Sequence, residues 1–358
     1  MKELKIGNLL AKVPIVQGGM GVGVSLSGLA SAVANAGGVG VISAAGLGTI
    51  YHEFSKDYNE ACIHGLKEEL RKAREKSNGI IGVNIMVALT NFADMVKTAI
   101  AEKADIIFAG AGLPLNLPSF LSSDSTTKLA PIVSSARALK VICRRWIGEY
   151  GYVPDAVVVE GPKAGGHLGY SHEQINDENY SLEAIVPEVV AAARELEQQH
   201  GKHIPVIAGG GVYTGEDIYN IMALGADAVQ MGTRFVVTEE CDADEKFKQA
   251  YINATQEDVT IIQSPVGMPG RAIANGFLEA VKDGKKKPKA CPFNCIKTCD
   301  VTNSPYCIML ALYNAYKGRM DHGYAFAGSN AWRCDKILKV RELFAELKAE
   351  YEVKAASI

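Results

Sequence analysis

The sequence contains no uninterrupted apolar run of about 18 residues, the length at which a membrane-spanning helix becomes a candidate. Its first five residues, Met1–Lys5, also lack the apolar core of a secretory signal. We therefore expect a cytoplasmic protein, and this compartment predicts that the eight cysteines are mostly reduced.

The chain also has little excess charge of either sign. Its 37 basic and 40 acidic residues give a formal net charge of −3 at pH 7, which provides no general attraction to nucleic acid or to an anionic membrane. The local exception is Lys285–Lys287 with Lys289, which we interpret as a solvated loop. We expect neither nucleic acid nor membrane as a partner. The oligomeric state stays open, with a homodimer as one option.

Short apolar segments alternate with amphipathic ones over the first 235 residues or so, which is the pattern of a parallel sheet with βα units. Eight βα units in this length predict a TIM barrel, with a doubly wound open sheet as the rival. The predicted strands are Val13–Gln17, Val39–Ser43, Ile80–Asn84, Asp105–Ala109, Ala130–Ser134, Ala156–Glu160, Ile204–Ala208 and Ala228–Met231.

The alternation stops near Asp258, so we predict a barrel over residues 1–257 and an extension over residues 258–358. The stretch Ser264–Arg271 is rich in glycine and proline and is predicted to be an ordered loop. Two helices are predicted after it, Tyr306–Lys317 and Asp335–Tyr351. A mainly helical extension of this size has little core of its own, so we expect it to pack on the barrel.

The segment Ala164–Gly169, with the sequence AGGHLG, follows the predicted strand Ala156–Glu160. Glycines allow a backbone to approach a flat or charged group closely. His167 therefore stands where a barrel strand ends, which is where such folds place their chemistry. A proton-transfer role beside a bound cofactor is one hypothesis. The alternative is a histidine that only hydrogen-bonds a loop.

Two further glycine-rich stretches follow the seventh and eighth predicted strands. Loops at these two positions frequently build the phosphate site of a TIM barrel, with backbone N–H groups pointing at the anion. Gly209–Gly211 supplies such amides, and Gly232 with Thr233 adds more amides and a hydroxyl. These loops predict a phosphorylated cofactor or substrate; simple tight βα turns are the alternative.

Five motifs carry a resemblance to a known family. They are, in chain order, Pro14–Gly21, Gly82–Met86, Ala164–Gly169, Ala208–Gly211 and Gln230–Phe235. Together they resemble the nitronate monooxygenase family, also called the 2-nitropropane dioxygenase-like family, closely over about residues 5–255.

The resemblance implies a TIM barrel that binds FMN non-covalently, with His167 as the catalytic residue facing a small-molecule substrate. It assigns the flavin ring, the ribityl chain and the phosphate to the following residues: Gln17, Gly18, Gly19, Met20, Asn84, Glu160, Gly165, Gly166, Gly209, Gly210, Gly211, Gln230, Gly232 and Thr233.

The resemblance is less specific for the reaction than for the fold. It implies first an oxidation of alkyl nitronates by oxygen to carbonyl compounds and nitrite. In that reaction His167 would remove the α-proton of a nitroalkane or, when protonated, stabilise the anionic nitronate. The family also contains NAD(P)H-dependent flavin enoyl-acyl-carrier-protein reductases of fatty-acid synthesis. A non-catalytic flavin-binding protein is the third option.

A cysteine cluster stands outside these motifs, with Cys291, Cys295, Cys299 and Cys307 in the spacing C-x3-C-x3-C-x7-C. This spacing is neither the C-x2-C pairing of common zinc sites nor a usual ferredoxin pattern. A helix beginning at Pro292 would place the first three thiols on one face. Three interpretations remain open: packing as small buried residues, a metal or iron–sulfur site, and a redox-active disulfide.

Overall fold

Eight parallel strands close into a barrel in the computed structural model, which describes residues 1–357 of the chain. All strands are numbered in chain order, and β10-β11-β3-β4-β5-β6-β7-β8 is the order around the barrel. The barrel strands are β3 Ile15–Gln17, β4 Val39–Ser43, β5 Ile80–Met86, β6 Ile106–Gly110, β7 Lys128–Val133, β8 Val157–Glu160, β10 Val206–Gly209 and β11 Ala228–Met231. The predicted TIM barrel is therefore confirmed.

Helices cover the outside of the barrel, so its strands are buried on both faces and consist of continuous apolar runs. The strand β4, for example, is buried at all five of its positions. The helices before residue 258 are α1 Ser27–Asn35, α2 Leu47–Ile50, α3 Tyr58–Lys76, α4 Phe92–Ala101, α5 Ala136–Tyr150, α6 His172–Ile175, α7 Leu182–His200, α8 Gly215–Ala223, α9 Thr233–Val236 and α10 Glu245–Ile252.

A small antiparallel hairpin closes the N-terminal end of the barrel. Its strands, β1 Leu4–Ile6 and β2 Leu9–Ala11, pair with each other. Leu4, Ile6 and Ala11 join the apolar side chains that fill the barrel interior, such as Phe108 and Ile207. Because this end is plugged by apolar packing, a ligand site is left to the opposite end, where the strands terminate.

The C-terminal segment, residues 258–357, is a hairpin followed by three helices. The hairpin strands are β12 Val259–Gln263 and β13 Pro269–Ile273, and the helices are α11 Gly276–Lys282, α12 Ile308–Tyr316 and α13 Val340–Ala356. The loop predicted over Ser264–Arg271 is thus wrong at its end, because residues 269–271 pair with β12. The last predicted helix begins five residues later than expected, at Val340.

The hairpin also holds the loop that follows β8. Strand β13 pairs antiparallel with β9, the two-residue strand Gly166–His167, so that Gly270 lies opposite His167. The buried guanidinium of Arg271 donates hydrogen bonds to the carbonyls of Pro162 and Ala164, the latter at 2.7 Å. Burial lowers the pKa of Arg271 to about 10, so the group is charged at pH 7.

Replacing Arg271 with methionine tests this attachment. The variant keeps most of the buried side-chain volume but leaves two enclosed carbonyls without their donor, so we expect a loss of about 2–4 kcal/mol in the free energy of unfolding. Urea unfolding measures it. The matched control is Arg71→Met, which removes an Arg–Glu102 pair whose arginine is 57% exposed and should cost far less, because water and salt screen an exposed pair. Equal losses in the two variants would contradict the prediction.

Candidate active site

A cavity of about 410 Å³ opens at the C-terminal ends of the barrel strands. Its volume lies within the range of small-molecule and cofactor sites, roughly 300–1,000 Å³. Strand-end loops of the barrel form one side, and the C-terminal segment forms the other through residues such as Ile296, Met309 and Phe326. The site therefore has the position expected of a TIM-barrel active site, but the barrel supplies only part of it.

The structure brings most of the predicted site residues together around this cavity. The predicted residues that line it are Gly18, Gly19, Met20, Asn84, Glu160, Gly165, Gly166, His167, Gly210, Gly211, Gln230, Gly232 and Thr233. They come from the ends of five different strands, so the sequence motifs that are far apart in the chain meet in space.

Gln17 and Gly209 are not among the residues that line the cavity, and their assignment to the cofactor stays a prediction. The amide of Gln17 is fully buried: its Oε1 accepts a hydrogen bond from the backbone N–H of Val41 at 3.0 Å, and its Nε2 donates to the carbonyl of Gly18. The amide thus joins β3 to β4. Gly209 is a buried residue of β10 whose carbonyl accepts from Gly161 at 2.8 Å.

One wall of the cavity is formed by a close approach of backbone to a side chain. A Cβ added at Gly19 would lie 2.2 Å from the Cβ of Asn84, so only glycine lets the first loop lie flat against β5. Gly166 has a φ of +80° and no atom within 4 Å of where its Cβ would stand. Bare backbone on both sides suits a planar group between the two loops.

The predicted phosphate loops meet a third stretch that the motifs did not reveal, Gly328–Asn330. The Nδ2 of Asn330 donates to the carbonyl of Gly211 at 2.7 Å, and a Cβ at Gly328 would lie 2.5 Å from Thr233 Oγ1. Lys163, which is exposed at the cavity edge, adds an ammonium group. Backbone amides, hydroxyls and one cation are the donors that a phosphate requires. The small polar run Gly328-Ser329-Asn330 was the only available signal in the sequence.

His167 lies on the cavity wall with its ring held from two directions. Its Nε2 is 2.7 Å from Ser264 Oγ, and its ring meets that of Phe326 edge-on with 5.0 Å between centroids. Burial lowers the pKa of His167 to about 4, so the imidazole is neutral at pH 7. A stabilising role for the protonated ring is therefore confined to acidic solution.

Ser264 is a site residue that the sequence motifs missed. It is buried in the turn between β12 and β13, where its backbone N–H donates to the carbonyl of Met268 at 3.1 Å. Its hydroxyl also accepts a long hydrogen bond, 3.4 Å, from the N–H of Val266. The turn therefore fixes the hydroxyl that faces His167. The glycine- and proline-rich sequence predicted an ordered loop here but not its contact.

Glu160, at the end of β8, lines the same cavity, and burial raises the pKa of its carboxyl to about 7. The same desolvation lowers the pKa of His167, because burial disfavours whichever form is charged. The site thus holds a neutral base and a carboxyl group that is close to half protonated at neutral pH. Opposite shifts of this kind in one cavity are a mark of functional sites.

The cysteine cluster lies beside the cavity, not in it. Residues 291–300 form turns and bends and no helix begins at Pro292, so the thiols do not share one helix face. All eight cysteines are free. Within residues 1–357, no three His, Cys, Asp or Glu side chains converge as a site for a single metal ion.

Comparisons with known proteins agree with this geometry. A family model described as nitronate monooxygenase matches residues 2–101 and 55–350. A "Probable nitronate monooxygenase" of Staphylococcus haemolyticus is 26% identical over 77% of this chain and 79% of its own length. A dehydrogenase of Mycobacterium tuberculosis that acts on a hydroxy-methyl-oxo-octahydroindene-carboxyl-CoA is also 26% identical, over 76% of this chain; the match spans only 66% of that relative.

The structure of FabK from Thermotoga maritima superposes with a TM-score of 0.73 at 25% identity. The superposition covers 97% of this chain and 95% of FabK, so the likeness includes the C-terminal segment. In the described part of the chain, every helix is too short or too polar to span a bilayer.

The pKa of His167 is directly testable by NMR of ¹⁵N-labelled imidazoles. We expect His167 to titrate at about 4, and in Ser264→Ala still clearly below the ordinary value of about 6.5, because burial and not the hydroxyl is the main cause. The variant should change the Nε2 chemical shift, whereas Ser134→Ala, another serine of the cavity wall, should not. A wild-type titration near 6.5 would contradict this result.

The depressed pKa has a consequence for stability. Unfolded chains bind the imidazole proton at about 6.5 and the folded chain at about 4, so the unfolded state holds more protons between these values. The stability that the folded protein gains from a neutral His167 is therefore fully present above about pH 6.5, and it is lost as the pH falls toward 4. Unfolding of His167→Gln should be less dependent on pH than that of the wild type across this window.

Proposed function

Since the chain belongs to the nitronate monooxygenase family, an oxidoreductase family of flavoproteins, we propose that it binds FMN and oxidises alkyl nitronates with oxygen to carbonyl compounds and nitrite. The observation that carries the proposal is the neutral imidazole of His167 on the wall of a cavity with cofactor-sized volume. A neutral ring can accept a proton at pH 7 but cannot donate one as an imidazolium.

The cavity residues fit FMN at both of its ends. Gly211, Gly232, Thr233 and the stretch Gly328–Asn330 would hold the phosphate, with Lys163 adding a positive charge. Gly19, Asn84 and Gly166 would lie along the flat ring. When bound, FMN supplies the electron-transfer and oxygen chemistry that protein side chains lack. The chain's own residues supply binding, orientation and proton transfer.

His167 would accept the α-proton of a neutral nitroalkane, which converts it to the nitronate. The α-carbon needs to approach the ring nitrogen that is not engaged by Ser264, and Phe326 fixes the plane of the ring. Proton abstraction by a positioned base contributes about 10²–10⁴-fold to a rate. A substrate supplied already as nitronate has lost this proton, so it bypasses the step.

Apolar residues around the histidine suit an alkyl substrate and limit water. Ile132, Val266, Met268 and Phe326 are among the apolar residues that line the cavity, and Phe326 contacts the imidazole edge-on. Burial in such surroundings lowers the pKa of His167, because an apolar wall disfavours the imidazolium. The same side chains thus select an apolar substrate and keep its base unprotonated.

An NAD(P)H-dependent enoyl reductase is the second candidate, and one observation favours it. The likeness to FabK, an enoyl-ACP reductase, extends over nearly the whole of both chains and includes the C-terminal segment that forms half of the cavity. Membership of an oxidoreductase family argues against the third option, a flavin-binding protein without catalysis.

Anaerobic mixing separates the two candidates. We expect the flavin absorbance of the purified protein to persist on mixing with NADH or NADPH and to bleach with an alkyl nitronate, because the proposed reaction takes its electrons from the nitronate. Formation of nitrite after admission of air completes the test. Fast bleaching by NADH or NADPH, followed by turnover of an enoyl thioester, would overturn the proposal in favour of the reductase.

Replacement of His167 tests the base. In His167→Ala we expect kcat/KM for a neutral nitroalkane to fall by about 10²–10⁴-fold, while the value for the corresponding nitronate falls far less. His200→Ala, which removes an exposed histidine at the end of α7, is the control. Equal losses on both substrates would remove the base assignment.

The pH profile gives an independent check. For a neutral nitroalkane, kcat/KM should rise with pH through about 4, where His167 loses its proton, and not through 6.5. A second transition near pH 7 would report Glu160, whose pKa is raised to about 7. Glu160→Gln should then abolish that transition and leave the one near 4 in place.

A further inference from the structure

The C-terminal segment gives the cavity a wall that is entirely apolar. Every residue between positions 266 and 312 that lines the cavity has an apolar side chain, and we call this set of six the apolar lobe: Val266, Met268, Ile296, Ile308, Met309 and Leu312. The charged and amide side chains of the cavity, such as Lys163 and Asn84, come instead from the strand-end loops and from Gly328–Asn330. Because the lobe offers no strong hydrogen-bonding side chain, it suits an apolar group and not a polar one.

One end of the apolar lobe adjoins His167. The backbone N–H of Val266 donates to Ser264 Oγ at 3.4 Å, and the same hydroxyl lies 2.7 Å from the Nε2 of His167. The hydroxyl of Thr298 donates to the carbonyl of Val266 at 3.3 Å, which attaches the stretch that contains Ile296 to the same turn. The lobe therefore begins beside the group that we propose acts on the reacting carbon.

Further apolar residues of the barrel continue the wall beyond this end. Ile296 forms an isolated antiparallel bridge with Leu89, which also lines the cavity. A Cβ added at Gly46 would lie 2.6 Å from Val22 and 3.0 Å from Met309 Sδ, so these two cavity-lining side chains are neighbours. The apolar wall thus extends from the turn beside the histidine to the loop between β3 and α1.

Helix α12 contributes half of the lobe from one of its faces. Ile308 and Leu312 are four positions apart, and Met309 and Leu312 are three apart, so all three lie on the same side of the helix. Leu310, between them in sequence, is 41% exposed and is not among the residues that line the cavity. Methionine side chains are flexible and fill irregular spaces, so Met268 and Met309 allow the lobe to adjust to its occupant.

We propose that the apolar lobe binds the alkyl chain of the substrate and makes the enzyme selective for long straight-chain nitronates over those of two or three carbons. The inference rests on the proposed function for the reacting group and adds the chain that this group carries. With the α-carbon at His167, the chain enters the lobe past Val266, which adjoins the histidine. A short substrate leaves the lobe in contact with water, whereas a long chain removes that apolar surface from water.

Calorimetric titration of the flavin-containing protein with straight-chain alkanamides tests the lobe without turnover. The planar amide group has the shape of a nitro group, and no redox step follows its binding. We expect Kd to fall about fourfold for each methylene from butanamide to octanamide, or about 10²-fold in all. A gain of less than about tenfold over the series would overturn the inference.

The same titration separates the lobe from the proposed reaction. Binding of an amide requires no oxidation, so a steep series in a protein that forms no nitrite from nitronates would refute the proposed function and leave the lobe in place. A flat series in a protein that does form nitrite would refute the lobe alone. Where both hold, kcat/KM for nitronates should rise with chain length in parallel with amide affinity.

One substitution at two positions of α12 locates the chain. In Leu312→Gln we expect the Kd for octanamide to rise by about tenfold or more and that for butanamide to change little, whereas Leu310→Gln, on the exposed side of the helix, should match the wild type. Leu312→Trp stays apolar but shortens the lobe, so the same selective loss is expected if the glutamine variant folds poorly. Unchanged butanamide binding verifies an intact site. Wild-type dependence on chain length in both Leu312 variants contradicts the proposal.

Discussion

The buried guanidinium of Arg271 is the interaction on which the site depends most. It holds the carbonyls of Pro162 and Ala164 and thereby fixes the loop between β8 and His167. The pairing of β13 with β9 then sets the register of His167 against Gly270. A barrel strand ends at Glu160, so without this attachment the loop that carries the histidine would have only its own turn to position it.

Several features of the cavity follow from the same attachment. The hairpin that carries Arg271 also carries Ser264, which contacts His167. The chain then returns to place Phe326 against the imidazole and Gly328–Asn330 against the phosphate loops. Burial in this cavity lowers the pKa of His167 and raises that of Glu160. One environment thus prepares a base and an acid, because burial acts on opposite charges in opposite directions.

The barrel was predictable because its signal is local. Each strand is a short apolar run, and the ends of the eight predicted strands differ from the structure by at most two residues. The gathering of Gly19, Asn84, His167 and Thr233 followed from one rule, that parallel strands end at the same rim. Gln17 also stands at a strand end, but its side-chain amide accepts a hydrogen bond from β4 and does not line the cavity.

The contacts that the C-terminal segment makes with the site were not predictable, because they join distant parts of the chain. Ser264 is 97 residues from His167, and Asn330 is 119 residues from Gly211; no periodicity links such pairs. The residues after Pro292 form turns and contact the barrel, as where the N–H of Thr90 donates to the carbonyl of Cys295 at 3.2 Å. Contacts of this kind override local propensity.

The cavity is built partly by the family motifs and partly by the C-terminal segment, and this bears on how one family supports several reactions. The five motifs supply most of the residues expected to hold a flavin, whereas the C-terminal segment supplies Ser264 and Phe326, which contact the ring of the buried His167. A relative with the same motifs and a more polar C-terminal segment would hold a histidine of ordinary pKa, able to donate a proton at pH 7. The shared motifs alone therefore do not fix the reaction, and relatives of about 25% identity carry different names.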